Sequence, residues 1–404
     1  MIADTISVAA RRVELFGALE RQPADLLLGL IDLYRQDPRP TKMDLGVGVY
    51  RDDAGGTPVM RSIKAAERRL AQTQPTKAYL GPEGDVRFVE LLAPIVFGDA
   101  LAQSPTLTGV QTPGGTGALR LAAELIARGV DDPTVWIGTP TWPNHAPIFR
   151  EAGLAVRSHP FFDAASGTID FAAMMLALQD AASGDVVLLH GCCHNPTGAD
   201  LSSEQWHSLL AMLADRQLIP LVDLAYQGLG QGLNADACAT RALLEGMPEA
   251  LVAYSCDKNF GLYRERVGAL WVKAASPDAI VAVRDNMLVL ARSLWSMPPD
   301  HGAAVVRVVL DDPVLAADWK AELENMRLRI AGLRAALAQA DARLAPLADQ
   351  HGMFAMLPLT REAVLDLRAS HGIYMADSGR INIAGLCRET VAPFVAAIAP
   401  HLQR

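Results

Sequence analysis

The chain has 404 residues, half of them hydrophobic, a formal net charge of −9 and five cysteines. That content buries a large core and excludes a disordered or fibrous protein, and the interspersed acidic and basic residues give no basic face of the kind that neutralises nucleic-acid phosphates. No apolar run reaches the roughly 20 residues that span a bilayer, and an odd set of cysteines without a CxxC pair (Cys192, Cys193, Cys238, Cys256, Cys387) fits reduced thiols and a cytoplasmic setting.

In chain order, Ser7, Arg11 and Arg12 suggest a transit peptide, but Asp4 and Glu14 argue against it, so residues 1–24 are expected to form an exposed arm. Thereafter short apolar runs alternate with helical periodicity, which predicts an α/β fold with a mostly parallel sheet. Helices are expected over Ala118–Arg128, closed by Gly129, and over Ser203–Arg216. Strands are expected over Val135–Gly138, Val186–His190, Leu221–Asp223, Leu251–Ser255 and Ala269–Val272. Leu323, Met326, Ile330, Leu333 and Leu337 make a core-facing stripe on a long helix over 318–341, too short a pattern for an intermolecular coiled coil. That helix leads into a second region with strands over Gly352–Met356 and Arg380–Ile383.

Four segments carry chemistry. Gly114-Gly115-Thr116-Gly117 opens a helix, so its amides and the helix N-terminus can cradle a phosphate, although its spacing fits neither a dinucleotide fingerprint nor a Walker A loop. His190-Gly191-Cys192-Cys193-His194-Asn195-Pro196-Thr197-Gly198 follows an apolar strand. A zinc or redox module centred on it is one reading, but adjacent cysteines on extended backbone point apart, and no metal is expected. Asn195 instead sits on a rigid turn at a strand's carboxyl end, where open α/β sheets place ligands. Asp223 closes a buried strand, where a carboxylate needs a cation or several donors, with helix capping as the structural alternative. Lys258 lies in a mostly uncharged turn eight residues before Arg266, an arrangement for a Schiff base beside an anion-binding guanidinium, with a solvated surface lysine as the alternative. Together the four supply a phosphate cradle, a carboxylate for a pyridine nitrogen, an amide for a ring hydroxyl and a Schiff-base lysine.

At these residues the chain resembles the fold-type I aspartate and aromatic-amino-acid aminotransferases, alpha subgroup. The resemblance runs from about Pro23 to the C-terminus, through Asp44-Leu45-Gly46-Val47-Gly48-Val49-Tyr50, Thr112 to Arg120, Trp142-Pro143-Asn144-His145, the HGCCHNPTG run, Asp223 to Gly228 and Ser378-Gly379-Arg380-Ile381-Asn382. It implies a pyridoxal-5′-phosphate (PLP)-dependent fold with a large domain over 58–325, carrying a seven-stranded, mostly parallel sheet, and a small domain made of 25–57 and 326–404. It makes Lys258 the Schiff-base lysine and proton shuttle, and Asp223 the partner of the pyridinium nitrogen. Tyr226 and Asn195 become the pair on the phenolic oxygen, and Trp142 the stacking ring. Phosphate contacts fall to Gly115, Thr116, Ser255 and Arg266, with Tyr79 reaching in from a second subunit of a homodimer. Arg380, with Gly48 nearby, takes the substrate α-carboxylate, and Arg292 of the other chain takes the distal carboxylate of acidic substrates.

The implied reaction moves an amino group between aromatic or acidic L-amino acids and 2-oxoglutarate by a ping-pong route through pyridoxamine phosphate. Ala78, Leu294 and Met297, where strict aspartate enzymes more often carry asparagine, point to aromatic substrates. A strict aspartate enzyme, a β-lyase or decarboxylase on the same fold, and a PLP-binding regulator, for whose DNA-binding module neither end is expected to have room, are the alternatives. The resemblance also implies cis bonds at Asn195-Pro196 and Thr139-Pro140. One residue departs from the family: Asp257 stands where a serine is usual, an anion beside the expected phosphate unless it turns away or pairs with Arg266.

Overall fold

A computed structural model describes residues 16–17, 19–21 and 26–402. The expected arm over 1–24 lies largely outside these, and the parts of it that are described are exposed. Seven strands form the central sheet: β1 (Leu107–Pro113), β2 (Thr134–Thr139), β3 (Ala155–Pro160), β4 (Val186–His190), β5 (Ile219–Leu224), β6 (Ala250–Ser255) and β7 (Val267–Lys273). Their spatial order is β1-β7-β6-β5-β4-β2-β3. From β6 to β3 the pairing is parallel, and β6, β5, β4 and β2 are buried on both faces because helices cover both, whereas β3 at the edge is largely exposed.

The structure corrects several expectations. The strand around Ala269–Val272 is antiparallel to both its neighbours. Periodicity missed its outer partner β1, because Thr108, Gly109 and Gln111 dilute the apolar run, and it missed the edge strand β3, whose residues are mostly solvent-facing. Gly129 belongs to the last turn of its helix, α1 (Gly114–Gly129), which ends at Val130 in extended conformation. In the second region the strands shrink to Phe354–Met356 and Arg380–Asn382, paired antiparallel, and Met43–Asp44 pairs with Ile373–Tyr374.

Buried side chains divide between the two sheet faces. One set, including Val110, Leu121, Ile137, Leu188, Leu221 and Met287, lies under α1 and α2 (Pro277–Leu294). The other, larger set runs without a break from Val222 and Tyr254 to Leu323, Ile381 and Phe394. The long helix α3 (Pro313–Ala340) starts five residues before the sequence expectation, because Asp312 caps it by accepting from Val314 and Leu315 N–H and Pro313 fits its first turn. The predicted stripe on α3 is buried.

Two residues of α3 reach toward the loops at the sheet's carboxyl end. Trp319 stacks on Phe260 with centroids 4.4 Å apart and donates to Asn259 O at 2.8 Å, which fixes the turn after Lys258. Arg334, buried, donates to His351 O at 3.0 Å and Gly352 O at 2.9 Å, and also to Phe354 O. A Cβ on Gly198 would come within 2.6 Å of the same guanidinium, so the loop that carries Asn195 is held against the Phe354 strand.

Candidate active site

The register of the sheet explains why distant segments meet. His190 is paired with Asp223, Asp223 with Ala253, Ser255 with Gly268 and Val267 with Pro113, so the chemistry-bearing residues leave the sheet along one edge. The N-terminus of α1 comes in close because β7 has glycine at 268: a Cβ there would stand 2.6 Å from Gly114 C. Gly114 itself has φ of +69°, and a Cβ on it would meet Arg266 Nη2 at 2.6 Å. Both Thr139-Pro140 and Asn195-Pro196 are cis.

A cavity of about 280 Å³ opens where these segments converge. It gathers Gly48, Gly115, Thr116, Trp142, Asn195, Asp223, Tyr226, Ser255, Lys258, Arg266 and Arg380, every predicted site residue except Tyr79 and Arg292. Those two lie on the surface of the chain: Tyr79 is 93% exposed, and Arg292, on the last turn of α2, donates to Ser296 Oγ at 2.7 Å. Of the residues taken as specificity markers, Ala78 is exposed and Leu294 packs against the core under α1; neither they nor Met297 line the cavity.

Lys258 is half-buried, its Nζ 5.1 Å from the centroid of the Tyr226 ring. Burial pushes its pKa below the ordinary lysine value, partly offset by Asp257 and Asp223 and reinforced by Arg266. The turn beneath it is tied down by a chain of buried bonds: Asn259 Nδ2 donates to Tyr254 Oη at 2.7 Å, which donates to Gln227 Oε1 at 2.9 Å.

Asp223 meets His145, whose Nε2 lies 2.9 Å from its Oδ2, while Thr141 Oγ1 holds the other ring nitrogen at 2.8 Å. Burial alone would raise the Asp223 pKa. The hydrogen bond and field of His145, with His190 and Lys258, more than offset that, and the net direction is downward, so the carboxylate is an anion near neutrality. His145 is functional geometry that the sequence reading missed; it stands 78 positions from Asp223, and only the fold shows the pairing.

Tyr226 is buried, and its hydroxyl accepts from Asn195 Nδ2 at 3.3 Å. Its pKa is raised, first by burial and then by Asp223, so it remains a neutral hydroxyl donor. Arg380 stacks on Phe354 at 4.8 Å, donates Nη2 to Gly46 O at 2.8 Å, and keeps a buried Nε with no partner. Phe354, a second residue missed by the sequence reading, is thus the apolar plate under the arginine. Arg266 Nη1 donates to Asp257 Oδ2 at 2.5 Å, which places the departing aspartate inside the cavity and paired.

The HGCCH run does not act as one four-ligand set. Its Cys192 and Cys193 group with Asp236, whose carboxylate already accepts the N–H groups of Gly228, Gly230 and Gln231, and His190 groups instead with His145 and Asp223. Burial drives the His190 pKa down to about 4 and lowers that of His194.

Comparison with known proteins agrees with this geometry. Residues 40–398 match the family model for aminotransferase class I and II. The chain belongs to that family. A tyrosine aminotransferase from Rhizobium meliloti is 57% identical over 92% of this chain and 96% of its own length. An aspartate aminotransferase from Escherichia coli is 43% identical over 96% of this chain and all of its own. The crystal structure of an aromatic-amino-acid aminotransferase from Burkholderia pseudomallei, covalently bound to pyridoxal phosphate, superposes with a TM-score of 0.93 at 36% identity, over 96% of this chain and all of that one.

This class I aminotransferase is a PLP-dependent enzyme of fold type I, and its cavity fits the cofactor. The fit rests on groups that would otherwise have no purpose: glycines where a Cβ would collide with Arg266 or crowd Ser255, a buried Asn195 Oδ1 and Arg380 Nε without partners, and a lysine whose surroundings favour its neutral form.

Proposed function

We propose that this aminotransferase uses Lys258 as cofactor anchor and proton shuttle, and that it transfers amino groups from aromatic as well as acidic L-amino acids to 2-oxoglutarate. The observation that carries the reading is the meeting, in one cavity, of Lys258, Asp223 and Arg380 with a glycine-opened helix start. Gly115, Thr116, Ser255 and Arg266 would hold the phosphate, Asp223 the pyridine nitrogen, Tyr226 and Asn195 the phenolic oxygen, and Trp142 a ring face. When bound, the cofactor supplies an electron sink for the pair left at the substrate's α-carbon.

The chain's own residues do the rest. Lys258 Nζ, whose pKa burial lowers toward that of a usable base, takes the α-proton and later gives it up. Asp223 remains an anion and, oriented by His145, holds a proton on the ring nitrogen. Arg380, levelled by Phe354 and Gly46, would grip the α-carboxylate with its partnerless Nε among the donors, and Gly48 leaves room beside it: a Cβ there would stand 2.8 Å from the Phe354 ring.

A second cavity of about 670 Å³ shares Arg380 and is walled by Leu30, Leu33, Pro140, Met356 and Met375, which supports a place for an aromatic ring. Burying a ring there would contribute about 2 kcal/mol at roughly 25 cal/mol per Å². Tyr79 and Arg292, uncovered within one chain, support a homodimer in which each chain completes the other's site. The reading also keeps the division into a large domain over 58–325 and a small one made of 25–57 and 326–404, and a cytoplasmic location. A panel of amino donors against 2-oxoglutarate tests it: comparable kcat/KM for tyrosine, phenylalanine and aspartate is expected. An aspartate preference above about a thousandfold, roughly 4 kcal/mol, would overturn the aromatic half.

A further inference from the structure

Among the described residues lining the phosphate end of the cavity, Asp257 is a carboxylate that the reaction above does not use. Its side chain is only 8% exposed, its Oδ2 takes Arg266 Nη1, and its Oδ1 is buried with no partner. Its backbone is held in place, the N–H bonded to Ser255 Oγ at 3.2 Å, and the next residue is the cavity-lining Lys258.

The groups facing it are few. Among the described residues, Arg266 is the guanidinium paired with it, and a further Nη1 contact to Tyr263 O at 3.2 Å already engages that side chain. Lys258 is pushed toward its neutral form, and the Cys256 thiol and Tyr263 hydroxyl are raised by burial and stay neutral. Beyond these, the described residues add Ser255, Thr116 and the partial positive charge of the α1 N-terminus. One guanidinium and half a charge cannot balance both a phosphate dianion and the carboxylate that already shares that guanidinium, and two like-charged oxyanions on one cation disfavour each other's ionised forms. A proton between them removes one charge and gives Asp257 Oδ1 the partner it lacks.

We propose that Asp257 shares a proton with the cofactor's phosphate, so that this chain holds the phosphate as a monoanion and takes up one proton on binding it. The proposal rests on the phosphate-cradle reading given above and concerns only its proton inventory. No other co-reactant is needed: the proton comes from solvent, and no covalent bond to phosphorus changes.

The test is phosphorus NMR of the holoenzyme between pH 6 and 8.5, joined to the dissociation constant of pyridoxamine phosphate from the apoenzyme over the same range. For the wild type the bound resonance is expected at the monoanion position throughout. Its Kd should rise about tenfold per pH unit above the phosphate's second ionisation near 6. Asp257→Ser, and Asp257→Asn as the isosteric second variant, are expected to move the resonance to the dianion position, flatten the Kd profile and tighten binding at pH 8 by about tenfold or more. A dianion resonance in the wild type, or parallel Kd profiles for wild type and both variants, overturns proton sharing. Arg266→Ala separates the two levels: if it weakens binding while the Asp257 variants change nothing, only proton sharing fails. If neither substitution moves Kd or the resonance, the cradle itself is misplaced and proton sharing falls with it.

Discussion

Asp223 and Asp257 are buried carboxylates in the same cavity, 34 positions apart and each held by one nitrogen donor, yet they stand in different chemical circumstances. Asp223 projects from a central strand and is paired with an imidazole that is itself fixed by Thr141, so its position is set before anything binds. Asp257 projects from a turn and occupies the guanidinium that an incoming phosphate also needs. A carboxylate whose partner has no other duty is a ready-made fixed charge. One whose partner is wanted elsewhere makes binding a competition, and protons decide its outcome.

Four measurements break or sharpen that contrast, beginning with the residue that feels both charges. Lys258→Ala should lower turnover by at least about 10⁴-fold, since both the covalent anchor and the proton carrier disappear. Phosphate-end binding of pyridoxamine phosphate should persist, and full transamination by this variant would end the assignment. Next, Asp223→Asn should cost about 10²- to 10³-fold in kcat, the size seen when one fixed electrostatic partner is removed. The same change at Asp257 should tighten cofactor binding instead, so losses of equal size at both positions would erase the distinction.

Arg380→Lys should raise KM for every amino donor about ten- to a hundredfold with kcat less affected, because an ammonium cannot give the paired, planar donors that Phe354 levels. An unchanged KM would place carboxylate binding elsewhere. The smallest effect is on stability. Lys258 has its folded pKa below the unfolded value near 10.4, so the unfolded chain binds more protons and stability rises with pH between the folded and unfolded values. Below the folded pKa the charged, buried lysine is a full penalty. Apo Lys258→Met should therefore melt higher than the apo wild type near neutrality, and the gap should close as pH climbs toward 10. A gap that widens with pH would reverse the sign assigned here.

The sheet's parallel centre was legible because Val186–His190, Leu221–Asp223 and Leu251–Ser255 are short, apolar on both faces and bounded by turn residues. Its antiparallel edge was not, because the direction of β7 depends on pairing with β1, a contact between residues about 160 positions apart. At the site, Lys258, Asp223 and Asn195 were visible as polar residues stranded at the ends of buried runs. His145 and Phe354 were not visible as participants. Nothing in a histidine three residues after Trp142, or in a phenylalanine within an apolar stretch, announces that one will orient a carboxylate and the other carry a guanidinium. Asp257 was visible only as a departure from a resemblance, and its pairing with Arg266 required the fold.

Arg334 binds its neighbours in a way that bears on how such a site can drift over generations. Its donors reach the carbonyl oxygens of residues 351, 352 and 354, and a carbonyl is the same whatever side chain its residue bears. At position 351 the Arg334 contact would survive a change of side chain, although the imidazole there also meets Asp200 of the Asn195 loop at 3.4 Å. Gly352 cannot change, because its φ of +75° and the 2.4 Å that a Cβ would leave to Cys193 Cβ admit no side chain. The identity of the join between the Asn195 loop and the Phe354 strand therefore rests on Arg334, Gly198 and Gly352, whose side chain or lack of one the geometry requires.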